Sequence, residues 1–107
     1  MDDELDELLR ALAHPTRRWI VRRCHGDWVA AGDLVSESDL AAATVSEHLK
    51  VLRKTGLVEL RAEGTWRRYR TVAERLTGVV LDLDRLLPQR QRAGRSATHP
   101  RESSGSS

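Results

Sequence analysis

The sequence predicts a mainly α-helical domain of five helices, with a two-stranded β-hairpin set before the last helix. Three observations carry this. Apolar residues recur at helical spacing in Leu5, Leu8, Leu9 and Leu12, in Val45, Leu49 and Leu52, and in Leu76, Val79, Val80 and Leu83. Proline or glycine punctuates the boundaries between these runs, at Pro15, Gly26, Gly56 and Pro88. Between Gly56 and Ala73 the pattern changes: Leu57 to Arg61 and Trp66 to Val72 read as strands. Their connection, Ala62-Glu63-Gly64-Thr65, holds the glycine that a hairpin needs.

The composition bounds what such a fold can be. At 107 residues the chain has room for one core. Its aromatics are only Trp19, Trp28, Trp66 and Tyr69, so that core is aliphatic. No apolar run reaches membrane-spanning length, and the acidic N-terminus is unlike an export signal. The lone Cys24 excludes an internal disulfide and suits a reducing cytoplasm, where the protein is expected to reside. The net charge of +2 hides an uneven distribution. Five acids crowd residues 2–7. Arg17, Arg18, Arg22 and Arg23 fall between His14 and His25, and Arg61, Arg67, Arg68 and Arg70 fall in the hairpin. Basic clusters on both sides of a helix fit a phosphate-binding footprint.

In chain order, the first helix spans Asp2 to Leu12, its acids lying at the positive end of the helix dipole. Ala13-His14-Pro15 breaks it, and Pro15 suits the first position of a second helix running to about Cys24. Asp27 to Ala31, around Trp28 and Val29, is a loop or short strand. Gly32 to Ser38 forms a short third helix. Asp39 makes a tight turn, since Asp tolerates left-handed geometry. A fourth helix starts near Ala41 and stops at Gly56, where a left-handed residue is cheapest without a Cβ. Two helices joined by a tight turn make a helix-turn-helix, and the hairpin beyond makes it a winged one. Thr71-Val72-Ala73-Glu74 reads as a capping box opening the last helix. Gly78 beside that helix's apolar stripe leaves room for another backbone. From Gln89 onward the chain lacks large apolar residues. Residues 88–107 are therefore expected to be a disordered tail, and residues 1–87 the folded domain.

Two separated motifs in this order carry a resemblance. Thr44-Val45-Ser46-Glu47-His48-Leu49-Lys50-Val51-Leu52-Arg53-Lys54-Thr55-Gly56-Leu57-Val58 resembles the recognition helix of the ArsR/SmtB winged-helix repressors. Glu63-Gly64-Thr65-Trp66-Arg67-Arg68-Tyr69-Arg70 resembles their wing. With Ala11 to Ile20, the similarity spans about residues 4–87. It implies a homodimeric repressor that binds a pseudo-palindromic double-stranded operator. It also implies that the first and last helices form the dimer interface, here Leu5, Leu8, Leu9, Leu76, Val79, Val80, Leu83 and Leu86. Thr44, Ser46, Glu47 and His48 would then face bases. Lys50, Lys54 and the second-helix arginines would face phosphates, and Arg67, Arg68 and Arg70 would hold the flanking backbone or minor groove.

The chain departs from the family pattern in two places. Ala41, Ala42 and Ala43 stand where a capping Ser and polar residues are usual, which removes a side-chain cap of about 1 kcal/mol. Metal-sensing members carry a Cys-x-Cys pair whose positions here are Ala30 and Gly32. The last helix offers Asp82 and Asp84 but no His, so no metal and no other cofactor is expected, though an unknown small-molecule inducer remains open. No phosphate-binding glycine loop, nucleophile elbow or zinc-protease motif is present, and no enzymatic activity is expected. The alternative reading is a winged-helix protein-interaction module that does not bind DNA, suggested by the three alanines, Glu47 and Trp19.

Overall fold

The computed structural model describes residues 3–89. The elements run α1 (Asp3–Leu12), α2 (Pro15–Arg23), β1 (Val29–Ala30), α3 (Ala31–Ser38), α4 (Ala42–Lys54), β2 (Val58–Glu63), β3 (Trp66–Thr71) and α5 (Ala73–Asp84). The expected disordered tail lies outside the described residues from residue 90 onward.

Local chemistry sets most boundaries. His14 Nδ1 accepts from the Thr16 backbone N–H at 3.2 Å, and Pro15 takes the first helical position, so α2 starts there. Asp39 adopts φ 61°, the left-handed turn between α3 and α4. The Ser38 hydroxyl braces that turn, donating to Val35 O and accepting from Leu40 N. Helix α4 begins at Ala41 without a side-chain cap. It ends at Gly56, φ 80°, where the Leu57 N–H reaches back to Leu52 O at 3.0 Å. A Cβ on Gly56 would come within 2.9 Å of Arg75 Nε, the movable end of a flexible side chain, so it is the backbone that requires glycine here.

The sheet has three strands in the order β1-β3-β2, all antiparallel. Val29 pairs with Tyr69, which settles the stretch around Trp28 as a strand edge. The hairpin closes at Glu63↔Trp66, with Gly64 at φ 59° in the two-residue loop. Ile20, Leu34, Val45, Leu52, Leu57 and Cys24 form the fully buried centre, contributed by α2, α3, α4 and the segments that follow α2 and α4.

Two expectations about α5 are corrected. Thr71 does not cap it: α5 opens from Val72 with no side-chain cap. Thr71 is instead the buried end of β3, its N–H donating to Cys24 O at 3.0 Å and its hydroxyl to Val21 O at 2.6 Å. These carbonyls are among those left over at the C-terminal end of α2, so the strand satisfies them. The apolar stripe also outlasts the helix. Leu86 and Leu87 follow α5 in a turn in which their N–H groups donate to Leu83 O and Asp84 O. At Gly78 a Cβ would meet nothing within 4 Å, so no neighbouring backbone of the described residues exploits it.

Candidate nucleic-acid interface

Helix α4 presents Ala41, Ala42, Ala43, Thr44, Ser46, Glu47, Lys50 and Lys54 to solvent. Val45, Leu49 and Leu52 hold its other side in the core. The outward face is therefore small and hydroxylic at its N-terminal end and basic toward its C-terminal end. Lys50 Nζ lies 3.9 Å from the Glu47 carboxylate, an exposed pair that contributes little to stability.

His48 is corrected. It is only 9% exposed, and it lies inside the domain rather than on the outward face. Its Nδ1 accepts from Arg17 Nε at 3.3 Å, and its ring centroid lies 4.4 Å from that of His14. Burial, then the nearby His14 and Arg17, hold its pKa below the ordinary value, so the neutral ring that can accept from Arg17 is favoured. The spacing contained this signal: His48 sits three residues after Val45 and four before Leu52, on the same helical stripe.

Three of the four α2 arginines are likewise engaged by neighbours within the domain. Arg17 Nη1 donates toward Arg10 O and Ala11 O, and Arg18 Nη1 donates to Leu12 O at 2.8 Å. They satisfy the last carbonyls of α1, a placement that also suits the helix dipole. Arg23 makes two bonds to the Glu37 carboxylate, at 2.7 and 3.0 Å, tying α2 to α3. Arg18 and Arg22 are both exposed, and Arg22 has neither a side-chain hydrogen bond nor an ion pair among the described residues.

On the wing, Arg67 is exposed and forms no ion pair among the described residues. Arg68 is half-buried, 3.7 Å from the Glu63 carboxylate and stacked 5.4 Å from the exposed Trp66 ring. Arg70 is committed elsewhere. It bonds the Glu59 carboxylate at 2.8 and 3.1 Å and lies 4.4 Å over Trp28, whose ring Arg61 also approaches at 4.4 Å. This cluster joins β2 and β3 to the residue just before β1, so Arg70 is not a free cation for a phosphate. Strand alternation places Trp66, Arg68 and Arg70 on one face of β3, but it does not indicate Trp28 as the partner of Arg70.

At the start of α3, Ala30 and Gly32 line a cleft with Thr65, Trp66 and Arg67, and neither supplies a metal donor. Among the described residues no three His, Cys, Asp or Glu side chains are grouped to hold a metal ion. Cys24 is fully buried, and burial pushes its thiol up to about 11. No helix among the described residues is long and apolar enough to cross a membrane.

The eight leucines and valines expected at an interface divide into three groups. Leu8 and Val79 are buried within the domain, so these two are corrected to core residues. Leu5 and Leu76 pack partly against that core. Leu9, Val80, Leu83 and Leu86 are exposed, Leu86 by 77%, and Leu81 joins them although the heptad-like stripe omitted it. These exposed apolar side chains lie on α1, on α5 and just beyond α5.

Comparison with known proteins agrees with this architecture. A family described as a helix-turn-helix domain matches residues 12–61. The chain is 40% identical over 80 residues to the HTH-type transcriptional regulator Rv2034 of Mycobacterium tuberculosis, covering 75% of each protein. The fold is similar to an ArsR-like transcriptional regulator from Rhodococcus, with a TM-score of 0.71 and 25% identity, over 92% of this chain and 95% of that one. It is also similar to a homodimeric winged helix-turn-helix DNA-binding domain from Mycobacterium bovis, a possible ArsR-family regulator. That match has a TM-score of 0.64 and 30% identity over 76% and 78% of the two chains.

Proposed function

This chain belongs to the ArsR/SmtB family of winged helix-turn-helix transcriptional regulators, and from that premise we propose that it is a homodimeric repressor acting on a two-fold-related operator without a regulatory metal. The observation that carries the reading is the outward face of α4, with Thr44, Ser46 and Glu47 next to solvent and Lys50 and Lys54 beyond them. Two copies of α4 entering successive major grooves would lie about 34 Å apart. Thr44, Ser46 and Glu47 would read base edges, and Ala41 to Ala43 would meet thymine methyls. Lys50 and Lys54 would hold phosphates, as would Arg67 and, with its charge partly offset by Glu63, Arg68. Arg70, His48, Arg17 and Arg23 take no part in this proposal, because each is engaged by a neighbour within the domain.

Self-association would use Leu9, Val80, Leu81, Leu83 and Leu86, which supports a dimer analogous to the homodimeric relative from M. bovis. Isologous dimers are the commonest assembly, and paired recognition helices match paired half-sites. The absence of donor side chains at Ala30 and Gly32 supports a regulator that does not sense metal through that position. Occupying a promoter would repress it, and the site of action would be the cytoplasm.

The test is a gel shift on the DNA upstream of the protein's own gene, with excess unrelated competitor at two salt concentrations. A discrete shift that resists competitor and weakens with salt is expected. Arg67→Glu should remove one phosphate contact per protomer, lowering the slope of log K against log salt by about 1.8 per dimer. An unchanged slope would overturn the assignment of Arg67, and failure to select any competitor-resistant DNA, from this promoter or from random sequence, would overturn the reading as a whole.

A further inference from the structure

We propose that the cleft between α1, α2 and α5 is an effector site for an amphipathic organic monoanion, a carboxylate carrying an apolar body. The cleft has a volume of about 450 Å³, inside the range of about 300–1,000 Å³ that small-molecule sites occupy. Leu12, Val21 and Leu76 form its apolar wall, one from each helix. Arg18, Arg22 and His25 form its rim, and no Asp or Glu lines it. The neighbouring clefts beside α1 and α5 differ in mixing acids with bases: Glu4, Glu74, Asp82 and Arg75 line one, and Glu4, Glu7, Lys54 and Arg75 another.

The rim chemistry selects the charge of the occupant. Arg22 is exposed and has no ion pair among the described residues, although the other three arginines of α2 are held by carbonyls, His48 or Glu37. Arg18 spends Nη1 on Leu12 O and keeps its remaining N–H groups. Two guanidinium groups at the mouth of an apolar cleft can bond a carboxylate while the wall takes its hydrocarbon. A neutral ligand would leave that charge unused, and a cation would be repelled.

The cleft also has a route to the DNA-binding surface. Helix α2 supplies three of the six lining residues, with His25 just beyond its end, and at its other end His14 and Arg17 contact His48 on α4. The other two walls, α1 and α5, carry the exposed leucines assigned to self-association. An occupant therefore touches the helix that holds α4 and both helices of the proposed dimer. This effector role rests on the operator-binding reading above; binding of the anion does not.

Calorimetry on the full chain without DNA tests the site, using decanoate well below micelle formation, with decylammonium as the control. Saturable binding of decanoate and none of decylammonium is expected. Arg22→Glu should weaken decanoate about tenfold, the scale of losing one charge-assisted bond, with unchanged thermal stability. No decanoate binding, equal binding of both amphiphiles, or an unaffected Arg22→Glu variant would overturn the site. Fluorescence anisotropy on selected operator DNA then tests the effector role. A shift in operator affinity on adding decanoate supports it, and an unchanged affinity with the cleft occupied overturns it. Failure of the operator reading would appear separately, as no specific DNA binding by the ligand-free protein.

Discussion

Thr71→Val isolates the hydrogen bond that joins the end of β3 to α2. Valine matches threonine in shape and favours a strand, so neither packing nor propensity is lost. What is lost is the O–H that donates to Val21 O at 2.6 Å. Both residues are buried, so water cannot replace the donor. Leaving a buried acceptor without a partner costs about 1–3 kcal/mol. For a domain of this size that lowers Tm by about 4–8 °C per kcal/mol. Thr71→Ser keeps the hydroxyl and removes one methyl, at about 0.8 kcal/mol. Chemical denaturation of both variants at equal protein concentration, which holds any dimer contribution fixed, should rank wild type above Ser and Ser above Val. If Val matched wild type, or exceeded Ser in stability, the bond to Val21 would not be holding β3 on α2.

Two further predictions concern α4 and the apolar face. Folding lowers the pKa of His48, so the unfolded chain binds its proton more readily. The stability from neutral His48 is complete above the unfolded value of about 6.5 and is lost as pH falls through it toward the folded value. Relative to His48→Gln, wild type should therefore lose more stability between about pH 8 and pH 5; parallel denaturation profiles would show that His48 is not held neutral. Leu83→Glu places a charge in the exposed apolar group on α5 without touching the core. Sedimentation should show a folded monomer with operator affinity reduced at least about tenfold, since one half-site is then bound alone; a persistent dimer would move the interface elsewhere.

What the sequence revealed follows from the range of the interactions. Pro15, Asp39, Gly56 and Gly64 mark boundaries because each position depends on the residue's own backbone preference, and all four stand where the pattern put them. The apolar stripes gave the buried sides of the helices for the same reason. Polar roles were less legible. Thr71 fits a capping box by spacing, but its hydroxyl meets a carbonyl 50 residues earlier, and the Arg17 that holds His48 is 31 residues away. Nothing local distinguishes an arginine that closes a helix end, such as Arg18, from one left in solvent, such as Arg22. Partly buried Arg70 shows the same limit, since strand alternation gives its face but not its partners Trp28 and Glu59.

The loss of His48 from the outward face sharpens the question of how α4 could discriminate DNA sequences. Three alanines open the helix and His48 faces inward, which leaves Thr44, Ser46 and Glu47 as the polar groups toward the groove. A hydroxyl can donate or accept and so discriminates weakly, whereas a carboxylate accepts only, and in the major groove it suits the amino group of cytosine. Glu47 would repel phosphates if it stood alone, but Lys50 is 3.9 Å from it on the same face. We therefore expect Glu47 to read one base pair in each half-site. Glu47→Gln should weaken operator binding by about 1–3 kcal/mol per half-site and relax preference at that pair alone. It should also strengthen binding to unrelated DNA, because a negative charge has gone. Competition titrations against single-substitution operators distinguish the outcomes. A uniform gain on all sequences would mean that Glu47 only repels the backbone, leaving discrimination to the two hydroxyls, the alanine methyls and the shape of the DNA under the wing.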